Sequence, residues 1–186
     1  MKFAIGIPTL NRYDYLYPTL NLYIKDFPNT DIYIVDNGNQ KIDISNPKIH
    51  IIKNDKNIGV AASWNFLCEK IFEKNENALI LNDDIYLGKT EKDIQELLTK
   101  KNGLVRSTID WCAFLMPKHL FQMIGRFDEV FYPAYYEDRS YEYRMKLKGY
   151  IPIKTPLLNP EIYRASATLE KQPEILEASK KNKKLY

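Results

Sequence analysis

Residues 78–84 read Ala-Leu-Ile-Leu-Asn-Asp-Asp, an apolar run that changes abruptly to three polar residues. An apolar run of this length is typical of a buried β-strand, and the polar residues that follow indicate where the strand ends. The sequence therefore predicts a buried strand over Ala78–Leu81, with Asn82, Asp83 and Asp84 in the loop after it.

The same pattern occurs twice earlier in the chain. Phe3–Ile7 runs into Pro8 and Thr9, and Ile32–Val35 runs into Asp36-Asn37-Gly38-Asn39. In open α/β sheets, ligands bind beyond the carboxyl ends of the strands, where such segments meet. Asn and Asp also end strands for conformational reasons alone, so it is the co-occurrence of three clusters that indicates a site.

Helical patterns separate these strands. Apolar residues recur at helical spacing over Tyr13–Phe27 and Gly59–Phe72, and Thr90 is the predicted N-cap of a helix that continues to Lys101. Strands that alternate with helices are typical of an α/β sandwich with a mostly parallel sheet. We therefore expect helices to cover both faces of the sheet.

The second half of the chain follows a different pattern, with a predicted strand over Trp111–Met116 and a predicted helix over Glu137–Lys148. No linker divides the sequence, and 186 residues suffice for one well-filled core. We expect a single domain over residues 1–170, followed by a Lys-rich, solvated tail over residues 171–186.

The charge balance argues against a nucleic-acid-binding domain. The chain has 27 Lys and Arg against 24 Asp and Glu, but four of the lysines lie in the last seven residues, so the remainder carries about −1. The tail could contact an anionic membrane surface weakly. The sequence has no secretory leader and no apolar stretch long enough to span a membrane, so we expect a cytoplasmic protein.

Asp83 and Asp84 are candidate metal ligands. Adjacent carboxylates repel each other unless a cation compensates, and carboxylate oxygens suit Mg²⁺ or Mn²⁺, which bind one or two carboxylates together with substrate phosphates. The chain has no glycine-rich motif of the kinds that cradle phosphates. A bound metal would therefore have to carry the charge of a diphosphate.

Glu137 and Asp138 form a second acidic pair at the start of a predicted helix. Acidic residues in a first helical turn are favourable through the helix dipole, which is a purely structural explanation. The aromatic run Phe131–Tyr136 precedes them, and an apolar wall of this kind raises a carboxylate's proton affinity and suits it to act as a base. The spacing alone supports both interpretations.

Six segments carry a family resemblance. In chain order they are Phe3–Arg12, Ile34–Gly38, Asn57–Asn65, Leu81–Ile85, Gly125–Glu129, and Glu137-Asp138 with Arg144. Together they resemble the motifs of GT-A-fold, family-2-type inverting glycosyltransferases, over residues 3 to 150. The resemblance implies a Rossmann-like, three-layer GT-A fold that transfers a sugar from a UDP- or dTDP-type donor to the hydroxyl of a glycan or glycolipid acceptor.

The resemblance also implies roles for individual residues. Asp84, together with Asp83, would hold Mn²⁺ or Mg²⁺, and Asp138 would take the acceptor's proton, with Glu137 as its neighbour or alternative. The implied donor-binding residues are Pro8, Thr9, Arg12, Asp36, Asn37, Asn65, Asn82 and Asp83. On the acceptor side are Arg144 and Trp111, which could stack on a sugar but could equally be a core residue.

The chain departs from the family pattern at three points. Asn82 occupies the first position of the D-x-D region, Ser140 stands where many relatives have another acid, and no His follows His119. An alternative is therefore a degenerate sugar-nucleotide or glycan-binding domain without turnover. Another alternative is a glycosidase that uses the two carboxylate pairs as acid and base. A further one is a protein that binds nucleic acid through its Lys-rich tail. We expect the acceptor-binding region to be small, or to be supplied by another subunit of an oligomer.

Overall fold

The computed structural model describes residues 2–39, 41–163 and 174–186. The strands of these ranges are β1 (Phe3–Thr9), β2 (Ile32–Asp36), β3 (Ile49–Lys53), β4 (Asn77–Leu81), β5 (Ile85–Tyr86), β6 (Val105–Ser107), β7 (Ala113–Pro117), β8 (Ile153–Thr155) and β9 (Ile162–Tyr163). Seven of them form one sheet in the order β3-β2-β1-β4-β7-β6-β8, and β5 pairs with β9 in a separate ribbon.

Six helices accompany the strands in the described ranges. They are α1 (Tyr13–Asp26), α2 (Val60–Phe72), α3 (Glu91–Lys100), α4 (Lys118–Ile124), α5 (Glu137–Leu147) and α6 (Glu174–Asn182). Short 3₁₀ turns occur at Glu129–Phe131 and Pro156–Leu158. Among the described residues, none of the helices combines the length and the apolar character that crossing a bilayer requires.

The sheet is parallel except at one strand. The strands β1 to β4 pair in parallel, whereas β7 runs antiparallel to both β4 and β6. The edge strand β8 is again parallel to β6. This confirms the predicted mostly parallel sheet, and it places the carboxyl ends of β1, β2 and β4 side by side.

Side chains of the central strands alternate between two apolar clusters, one on each face of the sheet. Ile5 and Ile7 join Leu16 of α1 and Leu98 of α3 on one face. The opposite face is covered by α2, α4 and α5, and its cluster contains Trp64, Leu67, Phe121 and Tyr141. Since helices cover both faces, the predicted three-layer sandwich is confirmed.

The predicted cap of α3 is also confirmed. Thr90 Oγ1 accepts a hydrogen bond from Asp93 N, while the Asp93 carboxylate accepts one from Thr90 N at 2.8 Å. This reciprocal capping box satisfies two backbone donors that the helix itself leaves without acceptors.

The C-terminal segment differs from the expected solvated tail. Residues 174–182 form α6, in which Ile175 and Asn182 are buried while the lysines from Lys180 onward are exposed. The run of like charges in the sequence does not reveal the two buried side chains, Ile175 and Asn182, that hold the helix against the domain.

Asn65 of α2 holds the segment that leads towards α5. Its side-chain oxygen accepts a hydrogen bond from Phe127 N at 2.7 Å, and its Nδ2 donates to Phe127 O and to Glu129 Oε1, both at 2.9 Å. The side chain is fully buried. All of its hydrogen-bonding atoms therefore serve the fold in this structure.

Asn65→Ala should lower the free energy of unfolding by about 2–4 kcal/mol, because it leaves buried backbone groups of Phe127 without partners. Urea denaturation measures this loss. Glu69→Gln, an exposed change on the same helix, is the control and should cost no more than about 0.5 kcal/mol. Equal stability of the two variants would contradict the proposed structural role of Asn65.

Candidate functional site

The polar segments after β1, β2 and β4 meet, as predicted, at the carboxyl edge of the sheet, where they line a cleft of about 310 Å³. The sequence-predicted residues that line this cleft are Pro8, Thr9, Asn37, Asn82, Asp83, Asp84, Trp111, Glu137 and Asp138. Those outside its lining are Arg12, Asp36, Asn65 and Arg144. Acids from distant parts of the chain, Asp84 and Asp138, thus share one cavity.

The first acidic pair lies at the base of the cleft, directly after β4. Thr9 Oγ1, at the end of β1, donates to Asp83 Oδ2 at 2.6 Å, which ties the ends of two adjacent strands together. Burial raises the pKa of Asp83 to about 7, opposed by the Thr9 hydrogen bond and raised further by the charge of Asp84. Burial also raises the pKa of Asp84 to about 6, opposed by the positive charge of Arg12.

Asp110 is a cleft residue that the sequence did not indicate. It lies just before β7, which pairs antiparallel with β4 and so brings its beginning next to the end of β4. Its Oδ1 accepts a hydrogen bond from Cys112 N at 2.6 Å, and its charge contributes to the raised pKa of Asp84. A search of the sequence for polar residues after predicted strands misses Asp110, because this residue comes before the strand β7.

The second acidic pair begins α5 and lines the same cleft. Glu137 is only 5% exposed, and burial, followed by the charge of Asp138, raises its pKa to about 8. Asp138 is less enclosed, and its Oδ1 accepts a hydrogen bond from Arg139 N at 2.8 Å. Burial raises the pKa of Asp138 as well, opposed by that hydrogen bond and by the charge of Arg139.

After β2, Asn37 reaches the cleft, whereas Asp36 lies behind it. The fully buried Asp36 carboxylate accepts hydrogen bonds from Tyr13 Oη at 2.9 Å and Gly38 N at 2.8 Å, and it pairs with Lys53 Nζ at 2.8 Å. Asn37 Nδ2 donates to Ser63 Oγ at 2.9 Å. In this structure Asp36 organises the turn that presents Asn37.

Arg12 and Arg144 also lie outside the cleft lining. Arg12 is 1% exposed, its Nε lies 3.2 Å from Asp14 Oδ1, and its guanidinium carbon lies 4.1 Å from the Tyr15 ring centroid. Arg144 donates to the carbonyls of Ile124, the last residue of α4, and of Arg126. Their roles in binding stay predictions, as do those of Asp36 and Asn65.

Trp111 is both a core residue and a cleft residue. Its ring packs edge-on against Phe114 and Phe127, with centroids 5.0 and 5.9 Å away, and its Nε1 donates to Glu142 Oε1 at 2.9 Å. It is only 6% exposed. Only a small part of the Trp111 indole is therefore accessible from the cleft, and the face of the ring is not open for a sugar to stack on it.

Two buried polar atoms around the cleft have no hydrogen-bond partner among the described residues. They are Glu137 Oε2 and Trp64 Nε1. Buried polar groups in proteins are nearly always paired, and exceptions occur where water or a ligand completes the site. The cleft is therefore suited to a polar ligand.

The residues present fit a metal ion only as a site shared with a ligand. Within the described ranges, no three His, Cys, Asp or Glu side chains converge as a set that could hold one. Asp83 and Asp84 are two adjacent oxygen donors that repel each other, and Mg²⁺ or Mn²⁺ characteristically combines one or two carboxylates with phosphate oxygens and water. A cation bound here would need a phosphate-bearing partner.

No protein-family model matches the sequence, and no curated protein matches it. Solved structures do match the fold. One is a mannosyltransferase from Pyrobaculum calidifontis in complex with GDP-Man and Mn²⁺, with a TM-score of 0.65 and 13% identity over 89% of this chain and 58% of the other. Another is GalNAc-T7 with UDP, GalNAc and Mn²⁺, with a TM-score of 0.68 and 11% identity over 84% of this chain and 43% of the other.

A third match is a Bacillus anthracis protein described as a glucose-1-phosphate thymidylyltransferase, in complex with sucrose, with a TM-score of 0.53 and 11% identity over 96% of both chains. The chain thus spans about half the length of the two glycosyltransferases. At these identities the likeness concerns the fold alone. The chain has the GT-A-like fold that the sequence motifs implied.

Proposed function

We propose that this protein is a metal-assisted inverting glycosyltransferase that moves a sugar from a nucleotide-diphosphate donor to an acceptor hydroxyl. The observation that carries the proposal is that Asp84 and Asp138 line one cleft at the carboxyl edge of a GT-A-like sheet. One acidic pair follows β4 and the other begins α5, so one pair can serve the diphosphate and the other the acceptor.

The donor side of the proposed site is formed by the loops after β1, β2 and β4. Pro8, Thr9 and Asn37 line this part of the cleft beside Asn82. Asp83 and Asp84 would hold Mn²⁺ or Mg²⁺ together with the diphosphate, and both glycosyltransferases with similar folds were solved with Mn²⁺. When bound, such a cation neutralises charge that develops on the departing diphosphate. We expect the donor to be a uridine or thymidine diphosphate sugar. A guanosine diphosphate sugar is the alternative donor, because the mannosyltransferase with a similar fold was solved with GDP-Man.

The two acids of α5 divide their tasks by protonation state. Glu137, whose pKa is raised to about 8, keeps its proton at neutral pH and can donate a hydrogen bond. Asp138 is the proposed base: burial raises its pKa and so its affinity for a proton, and the backbone N–H and the charge of Arg139 oppose that rise. Its position on the cleft wall allows it to take the proton from an acceptor hydroxyl, and a direct displacement needs no covalent intermediate.

The likeness to a thymidylyltransferase makes nucleotidyl transfer a second candidate. In that reaction a phosphate oxygen of a sugar 1-phosphate attacks the α-phosphorus of a nucleoside triphosphate, which forms a nucleotide sugar and releases pyrophosphate, a product that glycosyl transfer does not give. The absence of glycine-rich phosphate motifs from the sequence favours glycosyl transfer. If the protein binds a sugar nucleotide but shows no turnover, it is a degenerate sugar-nucleotide-binding domain rather than an enzyme.

The lysines at the end of α6 suit weak contact with an anionic membrane surface, as a glycolipid acceptor would require. Lys180, Lys181, Lys183 and Lys184 are all exposed. Each basic residue near such a surface contributes about 1 kcal/mol, so this contact would be salt-sensitive.

The Asp84→Ala variant should lose metal-dependent donor binding and turnover by about 100-fold or more, because it removes a ligand from a site with few protein donors. Calorimetry with UDP-, dTDP- and GDP-sugars, with and without Mn²⁺, measures binding. Release of nucleoside diphosphate measures turnover. Asp43→Ala, an exposed carboxylate outside the cleft, is the control; if Asp84→Ala behaves like it, the metal assignment is wrong.

The Asp138→Asn variant should bind the donor as the wild type does, while kcat for transfer falls by about 10²–10⁴, the usual contribution of a general base. Product formation on a panel of p-nitrophenyl glycosides measures transfer. Asp128→Asn, which can keep the cap at Val130 N, is the matched control. Transfer retained in Asp138→Asn would place the base elsewhere.

The Glu137→Gln variant should be more stable than wild type at pH 8 by about 1–3 kcal/mol. The native state keeps this proton up to about pH 8, whereas the unfolded chain releases it near the ordinary pKa of 4.5. The native state thus binds more protons in this window, and wild-type stability falls as the pH rises through it. Urea unfolding should show a difference in the free energy of unfolding between Glu137→Gln and wild type at pH 8 and none at pH 4. Glu96→Gln, an exposed change, is the control. A difference of the same size at both pH values would exclude the raised pKa of Glu137 as its cause.

A further inference from the structure

One wall of the cleft is formed by the loop Phe131–Tyr135, which leads directly into α5. Pro133, Ala134 and Tyr135 line the cleft beside Glu137 and Asp138. Tyr135 and Tyr136 have φ angles of 72° and 79°, in the left-handed region that bulky side chains rarely adopt. Such a conformation persists only where the surroundings hold it in place.

The start of α2 holds this loop at Pro133. Val60 N donates to Pro133 O at 2.8 Å. Gly59, with φ of 85°, allows the close approach: a Cβ there would lie 2.9 Å from Tyr132 Cδ2 and 3.0 Å from Pro133 O. Any other residue at this position would push the loop away from the helix.

Helix α6 holds the loop from its other side, through Asn182. Its Nδ2 donates to Phe131 O at 2.8 Å and Ala134 O at 2.9 Å, and it lies 3.4 Å from the carbonyl oxygens of Tyr132 and Tyr135. The side chain is 2% exposed. Because the surrounding groups are carbonyl acceptors, only a donor fits here.

Two further contacts extend α6 along the same wall. Ile175, near the beginning of the helix, itself lines the cleft. The ring of Tyr186, just after the helix, lies 5.7 Å from the ring of Tyr136. The helix therefore both supports the loop and contributes surface to the cavity.

We propose that α6 completes the acceptor-binding wall of this site, with Asn182 as the positioning residue that holds the Phe131–Tyr135 loop beside Glu137 and Asp138. This inference rests on the proposed glycosyltransferase function. The wall is on the side of the cleft that carries the proposed base, and Pro133, Ala134 and Ile175 make it apolar. An acceptor sugar that places its C–H face on this wall can direct a hydroxyl towards Asp138.

The first test needs no substrate. In Asn182→Asp, a carboxylate oxygen of the same shape replaces the donor and faces carbonyl oxygens, so the loop should open. Hydrogen–deuterium exchange should become about 10-fold faster in peptides spanning residues 131–140 and stay unchanged in β1 and β4. Lys183→Ala, its exposed neighbour, is the control. Asn182→Ala removes the donor without adding charge and serves if the Asp variant does not fold.

The second test separates an acceptor role from general stabilisation. With p-nitrophenyl glycosides as acceptors, KM for the acceptor should rise about 10-fold in Asn182→Asp, while the Kd for the sugar nucleotide with Mn²⁺ stays at the wild-type value. A merely structural residue would change both constants or neither.

The two tests fail in different ways. Unchanged exchange over residues 131–140 would overturn the anchoring role of Asn182. Faster exchange with an unchanged acceptor KM would overturn the acceptor role of the wall. A wild type that transfers to no member of the panel would overturn the proposed function and with it the acceptor role, while the exchange data still decide whether α6 holds the loop.

Discussion

Five acidic side chains line one cleft, and the free-energy cost of burying their negative charges together determines what this cleft can bind. They are Asp83, Asp84, Asp110, Glu137 and Asp138. Burial removes the water that would stabilise these carboxylates, and the positive charge of Arg12 opposes this effect at the first pair. The negative charge that Arg12 does not compensate can be neutralised by protonation of the carboxylates or by a bound cation. The unfavourable burial of these carboxylates is thus the basis of the affinity proposed for a cation, and the cation in turn would attract the diphosphate.

Residues that follow a strand directly could be located from the sequence, because apolar runs and the polar residues that end them are local features. Asp83, Asp84 and Asn37 belong to this group. Asp110 could not be found in this way, since it precedes a strand that runs antiparallel. Asn65 illustrates the opposite difficulty: the family motif identified the residue type, but its partner Phe127 lies 62 positions away, and no local pattern encodes that contact.

The loop Phe131–Tyr135 links the two halves of the site mechanically. It is held by the first turn of α2 through Val60 and by α6 through Asn182, and it continues into the acids of α5. A shift at the start of α2 can therefore reach Asp138 through a single short segment. For the proposed glycosyltransferase, this connection would be a physical route between the two substrates, because the segment is fixed to helices at both ends.

The contact between Asn182 and Phe131 spans 51 positions of the chain, and it has a consequence for biosynthesis. On the ribosome, strands β1 to β4 can emerge and pair long before α6 has been translated. A nascent chain would then carry an assembled sheet with one side of its cavity still open. Completion of the cleft wall would be delayed until translation has passed residue 182, so the sheet could form well before the cleft has its final shape.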